Sequence, residues 1–259
     1  MMKYKRSFTV TSADIHKDYR ISPHAVLLYF QESFARYMAC LHLGAFDLVK
    51  EERMWIITEM SAELPPLDTF WGDEVEVTIW VSEISPLRVY ADYFITNLRT
   101  GEQMAKGTSS WSLMNAGTRQ LESTEEVAKI ITVVPEMMTD THRKMRFPKG
   151  GEQITQVSHK VNRTDLDFNK HVNNRSYLKI AMLTATDEFI AENRPLKMVI
   201  HWQHETYLDE TLTCSLFKTE DNTFVHKLTK EDGTVAAEIF STWQPFTCKV
   251  DVAEVVKRI

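Results

Sequence analysis

Glycine and proline are scarce in this chain, with eight of each in 259 residues. Long linkers and low-complexity segments are therefore expected to be few. Cysteine is scarcer still. Cys40, Cys214 and Cys248 are an odd number at wide, irregular spacing, which suits neither a disulfide framework nor a zinc site and fits a reducing compartment. No uninterrupted apolar run reaches membrane-spanning length. The start, MMKYKRSFTVTSADIHKD, has basic residues but no following apolar stretch of the secretory kind. A basic excess is also missing. The formal net charge of -6 argues against a protein that grips nucleic acid through a global positive field. These absences lead to a cytoplasmic protein with no membrane span, no nucleic-acid partner, no metal and no cofactor.

What is present is 43% apolar and 25% charged residues, with thirteen Phe, eight Tyr and six Trp. That composition belongs to a folded globular chain rich in strand and pocket material. The most informative feature is a faint internal repeat. Residues 12–33 (SADIHKDYRISPHAVLLYFQES) align without gaps on 163–184 (RTDLDFNKHVNNRSYLKIAMLT). Asp14 falls on Asp165, Ile21 on Val172, Ser22 on Asn173 and Leu27 on Leu178. Later, GEQMAKGTSSW (101–111) falls on GTVAAEIFSTW (233–243), matching Gly101 with Gly233 and Trp111 with Trp243.

Each copy reads as a polar lead segment, a helix cap (Ser22 before Pro23, or Asn173–Asn174), a long helix, then strands. In the second copy Tyr177, Leu178, Ala181, Met182, Ala185 and Phe189 recur at helical spacing, predicting one long helix. EVEVTIWV (74–81) and TLTCSLFK (211–218) alternate apolar and polar residues as antiparallel strands do. LRTGEQ (98–103) and KEDGTV (230–235) read as hairpin turns. The design is α+β, one long helix laid across a curled antiparallel sheet. Written twice, it predicts two such sheets joined edge to edge. The expected units are 1–125 and 155–259, with the polar, breaker-containing stretch 126–154 as their connection.

The densest cluster of reactive side chains is TDLDFNKHVNN (164–174), which sets Asp165, Asp167, Asn169 and His171 at every second position before a helix. An extended backbone would turn Asp167, Asn169 and His171 to one side. A carboxylate, an amide and an imidazole can serve as base or nucleophile, orienting group and proton carrier. The helix start near Asn173 and Asn174 supplies N–H groups suited to a developing oxyanion. The bland alternative is a turn leading to an N-cap, since Asp and Asn favour such places. In the first copy the triplet becomes His16, Asp18 and Arg20, whereas Asp14 persists opposite Asp165. That contrast predicts a structural Asp14/Asp165 pair and chemistry confined to the second copy. His201 and His204 fall on opposite faces of a strand, which disfavours a metal site. The basic run HRKMR (142–146) reads as a solvated linker or a contact for an acidic partner.

The motif D-x-N-x-H-V-N-N-x-x-Y, Asp167 to Tyr177, resembles the signature of the plant-type acyl-acyl-carrier-protein thioesterases and their bacterial relatives. WIITEMSAEL (55–64), WGDEVEVTIWVS (71–82) and TSSWSLMNAGTRQL (108–121) are similar to that family's N-terminal half. The resemblance runs from Tyr4 to about Trp243. It implies a double hot-dog fold, hydrolysis of acyl-acyl-carrier protein to free fatty acid, and the acyl carrier protein as partner. It also implies a catalytic set of Asp167, Asn169 and His171 with a glutamate on a later strand, here Glu205 of WQHET (202–206). Many plant members carry cysteine after that glutamate, where this chain has Thr206, so a thiol nucleophile is not expected. The first helix, through Leu27, Phe30, Phe34 and Met38, is placed to wall an acyl-chain pocket, although plain core packing explains the same residues. Competing readings are an acyl-coenzyme A thioesterase, a hydratase or dehydratase of acyl thioesters, and a non-catalytic acyl-binding module. A homodimer stays open, because two fused units can replace one.

Overall fold

The computed structural model describes residues 3–16, 19–64, 69–139 and 146–246. The chain divides into two compact units, whose described residues are 3–139 and 146–246.

In the first unit β1 (Tyr4–Thr9) leads to α1 (Pro23–Cys40) and the short α2 (Ala45–Leu48). Then follow β2 (Arg53–Glu63), β3 (Glu74–Ser85), β4 (Arg88–Asn97), β5 (Gln103–Asn115), the two-residue β6 (Leu121–Glu122) and α3 (Glu125–Ala128). The strands pair antiparallel in the order β1-β3-β4-β5-β2, with β6 on β5. Helix α1 starts where the sequence places it: Ser22 Oγ accepts from the Ala25 N–H and Pro23 occupies the first turn. Its apolar side is driven onto the sheet by aromatic burial. Phe30 stacks on Tyr93 at 4.6 Å between ring centroids, and Phe34 on Trp111 at 3.9 Å. Gly107 makes the first contact possible, because a Cβ there would stand 2.6 Å from the Phe30 ring and 2.3 Å from the Ser61 carbonyl oxygen. The alternation in β3 is half the story, since Thr78 and Trp80 are buried as well as Val75, Val77, Ile79 and Val81. Residues 133–139 account for that second face. Val134 N–H donates to the Val81 carbonyl, the Trp80 indole to the Glu136 carbonyl, and Met138 N–H to Asp92 Oδ1.

The second unit holds β7 (Glu152–Lys160), α4 (Asn174–Met182), α5 (Asp187–Glu192), β8 (Asn193–Trp202), β9 (Thr211–Glu220), β10 (Thr223–Lys230) and β11 (Val235–Pro245). Its order is β8-β11-β10-β9-β7, antiparallel throughout. Leu212, Cys214 and Leu216 point into the core, as the alternation requires. The single long helix expected here is instead two short ones. Thr184 turns its hydroxyl back to the Ala181 carbonyl, and Thr186 caps a new helix by accepting from the Phe189 N–H. Apolar spacing carried the expectation through Ala185 and Phe189, and the two threonines end the first helix between them.

The repeat is carried down to individual hydrogen bonds. Trp111 and Trp243 each donate their indole N–H to a serine two residues earlier, Ser109 or Ser241. Gly101 and Gly233 both take positive φ, 74° and 86°, in the matched hairpins.

Candidate active site

The site is built on a tight loop, and the loop is a turn rather than the extended run expected from alternation. Leu166 pairs with Val172, Asp167 N–H donates to the His171 carbonyl, and Lys170 N–H donates back to the Asp167 carbonyl. Lys170 closes the turn with φ 68°. The closure, not a shared strand face, brings the ends together: His171 Nδ1 lies 3.6 Å from Asp167 Oδ2. Asn169 is exposed at the tip and joins through its main chain, whose N–H donates to Asp167 Oδ1 at 2.8 Å. Asp165 faces elsewhere. Its Oδ2 accepts from the Asn162 N–H and pairs with His159 Nε2 at 2.8 Å, a structural role in the loop's entry.

Glu205 comes from the loop after β8, not from a strand. Its Oε1 lies 3.7 Å from His171 Nε2, and its Oε2 accepts from the Tyr207 hydroxyl at 2.7 Å. The imidazole thus stands between two carboxylates, all three groups being partly exposed. Separations of 3.6 and 3.7 Å are within ion-pair reach and longer than a hydrogen bond. Contacts of this kind commonly tighten only around the reacting group. An imidazole placed between two carboxylates can pass a proton to or from either.

At the helix start Asn173 is the cap, its side chain accepting from the Arg175 N–H at 3.1 Å. Asn173 N–H donates to the Asp165 carbonyl and Ser176 N–H to the Asn173 carbonyl. Among the described residues this leaves the Asn174 N–H as the helix-terminal donor without a protein acceptor. Thr206 is fully buried, and its hydroxyl accepts from Tyr177 at 3.1 Å. Burial pushes the Tyr177 phenol up to about 12, so it stays a donor. Leu27, Phe30, Phe34 and Met38 all sit in the core of the first unit. His201 is buried and stacked on Phe147, whereas His204 is exposed beyond the end of β8. Of HRKMR, only Arg146 lies among the described residues, and Cys248 lies outside them.

Two family models match the chain: the acyl-ACP thioesterase N-terminal domain over residues 1–131 and the acyl-ACP thioesterase C-terminal domain over 149–245. The chain belongs to the acyl-ACP thioesterase family. Similar relatives include a chloroplastic acyl-acyl-carrier-protein hydrolase of Cuphea viscosissima, 25% identical over 93% of this chain and 61% of its own length. A palmitoyl-acyl carrier protein thioesterase of Cuphea hookeriana is 26% identical over 93% and 62%. The chain therefore spans about three-fifths of these relatives. Among solved structures, an acyl-ACP thioesterase from Bacteroides thetaiotaomicron superposes with a TM-score of 0.83 at 14% identity, covering 93% of this chain and 98% of that one. A 12:0-ACP thioesterase from Umbellularia californica gives 0.82 at 20%, covering 94% and 98%. The fold of this family member is the double hot-dog expected from the sequence.

Two tyrosines at this candidate site were given no role there by the sequence. Tyr207 holds Glu205, and Tyr177, a helix-face residue and the last of the motif, holds Thr206. A signal for the first existed. DTFWGDEV (68–75) aligns on ETYLDETL (205–212), a third repeated block that places Phe70 on Tyr207 and Asp73 on Glu210.

Proposed function

We propose that the protein hydrolyses the thioester of acyl-acyl-carrier protein, releasing a free fatty acid and the carrier's phosphopantetheine thiol. The observation that carries this reading is the placing of His171 between Asp167 and Glu205 at the start of α4. Family membership supplies the substrate class, and the site supplies a route. Asp167 takes a proton from water as its oxygen attacks the thioester carbonyl carbon. Negative charge then gathers on the carbonyl oxygen, where the Asn174 N–H at the positive end of α4 is the donor. The C–S bond breaks as the tetrahedral species collapses, the proton taken by Asp167 passes to His171, and His171 delivers it to the leaving sulfur. Glu205 balances the imidazolium. Asn169 orients the water or the carbonyl from the tip of the turn. Thiol chemistry has no place in this scheme, because Thr206 faces the core.

The acyl chain belongs, on this reading, to the first unit, along α1 at Leu27, Phe30, Phe34 and Met38. The partner is an acyl carrier protein. Asp167→Asn keeps shape and polarity and removes the base. Turnover on an acyl-acyl-carrier-protein panel, followed as free thiol and free acid, should fall about a hundredfold or more, with carrier binding retained. Asp165→Asn is the matched control, and its effect should show in thermal stability more than in turnover. A folded Asp167→Asn protein hydrolysing at the wild-type rate would exclude the mechanism. Equal turnover on acyl-coenzyme A and acyl-carrier substrates would remove the carrier from the reading.

A further inference from the structure

Each unit contains the same loop scaffold, and comparing them isolates one hydroxyl group. In the first unit Ile15 pairs with Ile21, Tyr19 takes φ 63°, and Ser22 N–H donates to the Asp14 carbonyl. In the second, Leu166 pairs with Val172, Lys170 takes φ 68°, and Asn173 N–H donates to the Asp165 carbonyl. The chain then returns to meet the loop in the same way twice. Ile21 N–H donates to the Thr69 carbonyl and Val172 N–H to the Thr206 carbonyl, at 3.1 and 2.8 Å. Arg20 pairs with Phe70 as His171 pairs with Tyr207. Phe70 N–H donates to Asp73 Oδ2 and Tyr207 N–H to Glu210 Oε2, at 3.1 and 2.7 Å. Asp73 is held by Arg99, and Glu210 by Lys230. Val10 and Val161 close both loops, each donating to the carbonyl of that acidic residue at 2.9 Å.

Thr206 has a match in the first unit. Its counterpart Thr69 is likewise buried and offers the same carbonyl, so a threonine after Glu205 belongs to the scaffold of both copies. The same logic singles out Tyr207. Phe70 makes the same main-chain pairing and capping contacts as Tyr207 without a phenolic oxygen, so these contacts do not require one. That oxygen donates to Glu205 Oε2 at 2.7 Å, leaving Oε1 of the same carboxylate turned toward His171. A hydrogen bond to a charged carboxylate from a ring pinned at its own main chain fixes the carboxylate's rotation. The ring is further steadied by Lys230, whose ammonium lies 5.6 Å from its centroid.

We propose that Tyr207 is a positioning residue for hydrolysis, its hydroxyl holding Glu205 so that one carboxylate oxygen faces the His171 imidazole. This rests on the active site proposed above and adds a residue to it. The test is a double-mutant cycle of Tyr207→Phe and Glu205→Gln on folded full-length protein, with kcat and KM measured separately on one acyl-acyl-carrier protein. Phenylalanine at this position of the scaffold already occurs at Phe70, so the single variant should fold. The expected result is a roughly tenfold fall in kcat for Tyr207→Phe with KM within about twofold. In the Glu205→Gln background the same change should cost nothing further, because the carboxylate that the hydroxyl orients toward His171 has gone. Wild-type kcat in Tyr207→Phe beside a crippled Glu205→Gln would overturn the role of Tyr207 and leave the active site standing. Equal, additive losses in both backgrounds would overturn it too, assigning Tyr207 to general structure. Wild-type turnover in Glu205→Gln would bring down the site reading itself.

Discussion

Cys214 is buried on β9, where desolvation pushes its thiol up to about 12, and Cys40 is exposed at the end of α1. A neutral, core-facing thiol is a poor nucleophile. Cys40→Ser, Cys214→Ala and Cys248→Ser, made singly, should each retain turnover near wild type in the thioester assay; loss in a folded variant would mean a thiol attacks. Single residues were unevenly legible in the sequence. Asp167 and His171 announced themselves as a cluster, but the cause of their meeting did not. It is a turn closed by Lys170 at φ 68°, and lysine carries little turn signal, unlike glycine or asparagine. Glu205 was legible only through resemblance, since nothing local marks it. Tyr207 passed unremarked because a tyrosine in an irregular stretch says nothing until its scaffold is seen twice.

Elements were read more fully than residues. The cap at Ser22, the alternation in β9 and the hairpin glycines Gly101 and Gly233 are local signals, and local physics decides them. The second helix was read too long because periodicity reports a face and not the caps that interrupt it. For α1 the structure supplies a price for the proposed acyl-chain role. Phe34 lies against Trp111 and edge-on to Trp55, and Phe30 lies over Gly107 and Tyr93. Phe34→Ala and Phe30→Ala should each cost about 3–5 kcal/mol of stability, seen as a lowered denaturant midpoint. Where the protein still folds, they should shift the preferred acyl length while detectable turnover persists. An unchanged length profile in both would place the chain elsewhere.

At the scale of the whole molecule, stability should depend on acidity through a group remote from the chemistry. His226 on β10 is 2% exposed, and burial pushes its imidazole down to about 4 from an ordinary 6.5, against an opposing hydrogen bond with the Ile239 main chain. The unfolded chain therefore takes up this proton at higher pH than the folded one. Its contribution is full above about pH 6.5, declines as pH falls toward 4, and is spent below that, amounting to roughly 3 kcal/mol. Chemical denaturation at pH 7 and pH 4.5 should show wild type losing more stability on acidification than His226→Gln. Equal losses would show that other groups set the acid limit. Among the described residues no helix is long and apolar enough to cross a membrane.

In both loops the shape is written in hydrogen bonds of the main chain that the two copies share, while the side chains at the matched positions differ. The two kinds of information can be edited apart. A loop built in this way can exchange its side chains one at a time while the main-chain frame holds. His16, Arg20 and Phe70 stand on that frame in the first unit where Asp167, His171 and Tyr207 stand in the second.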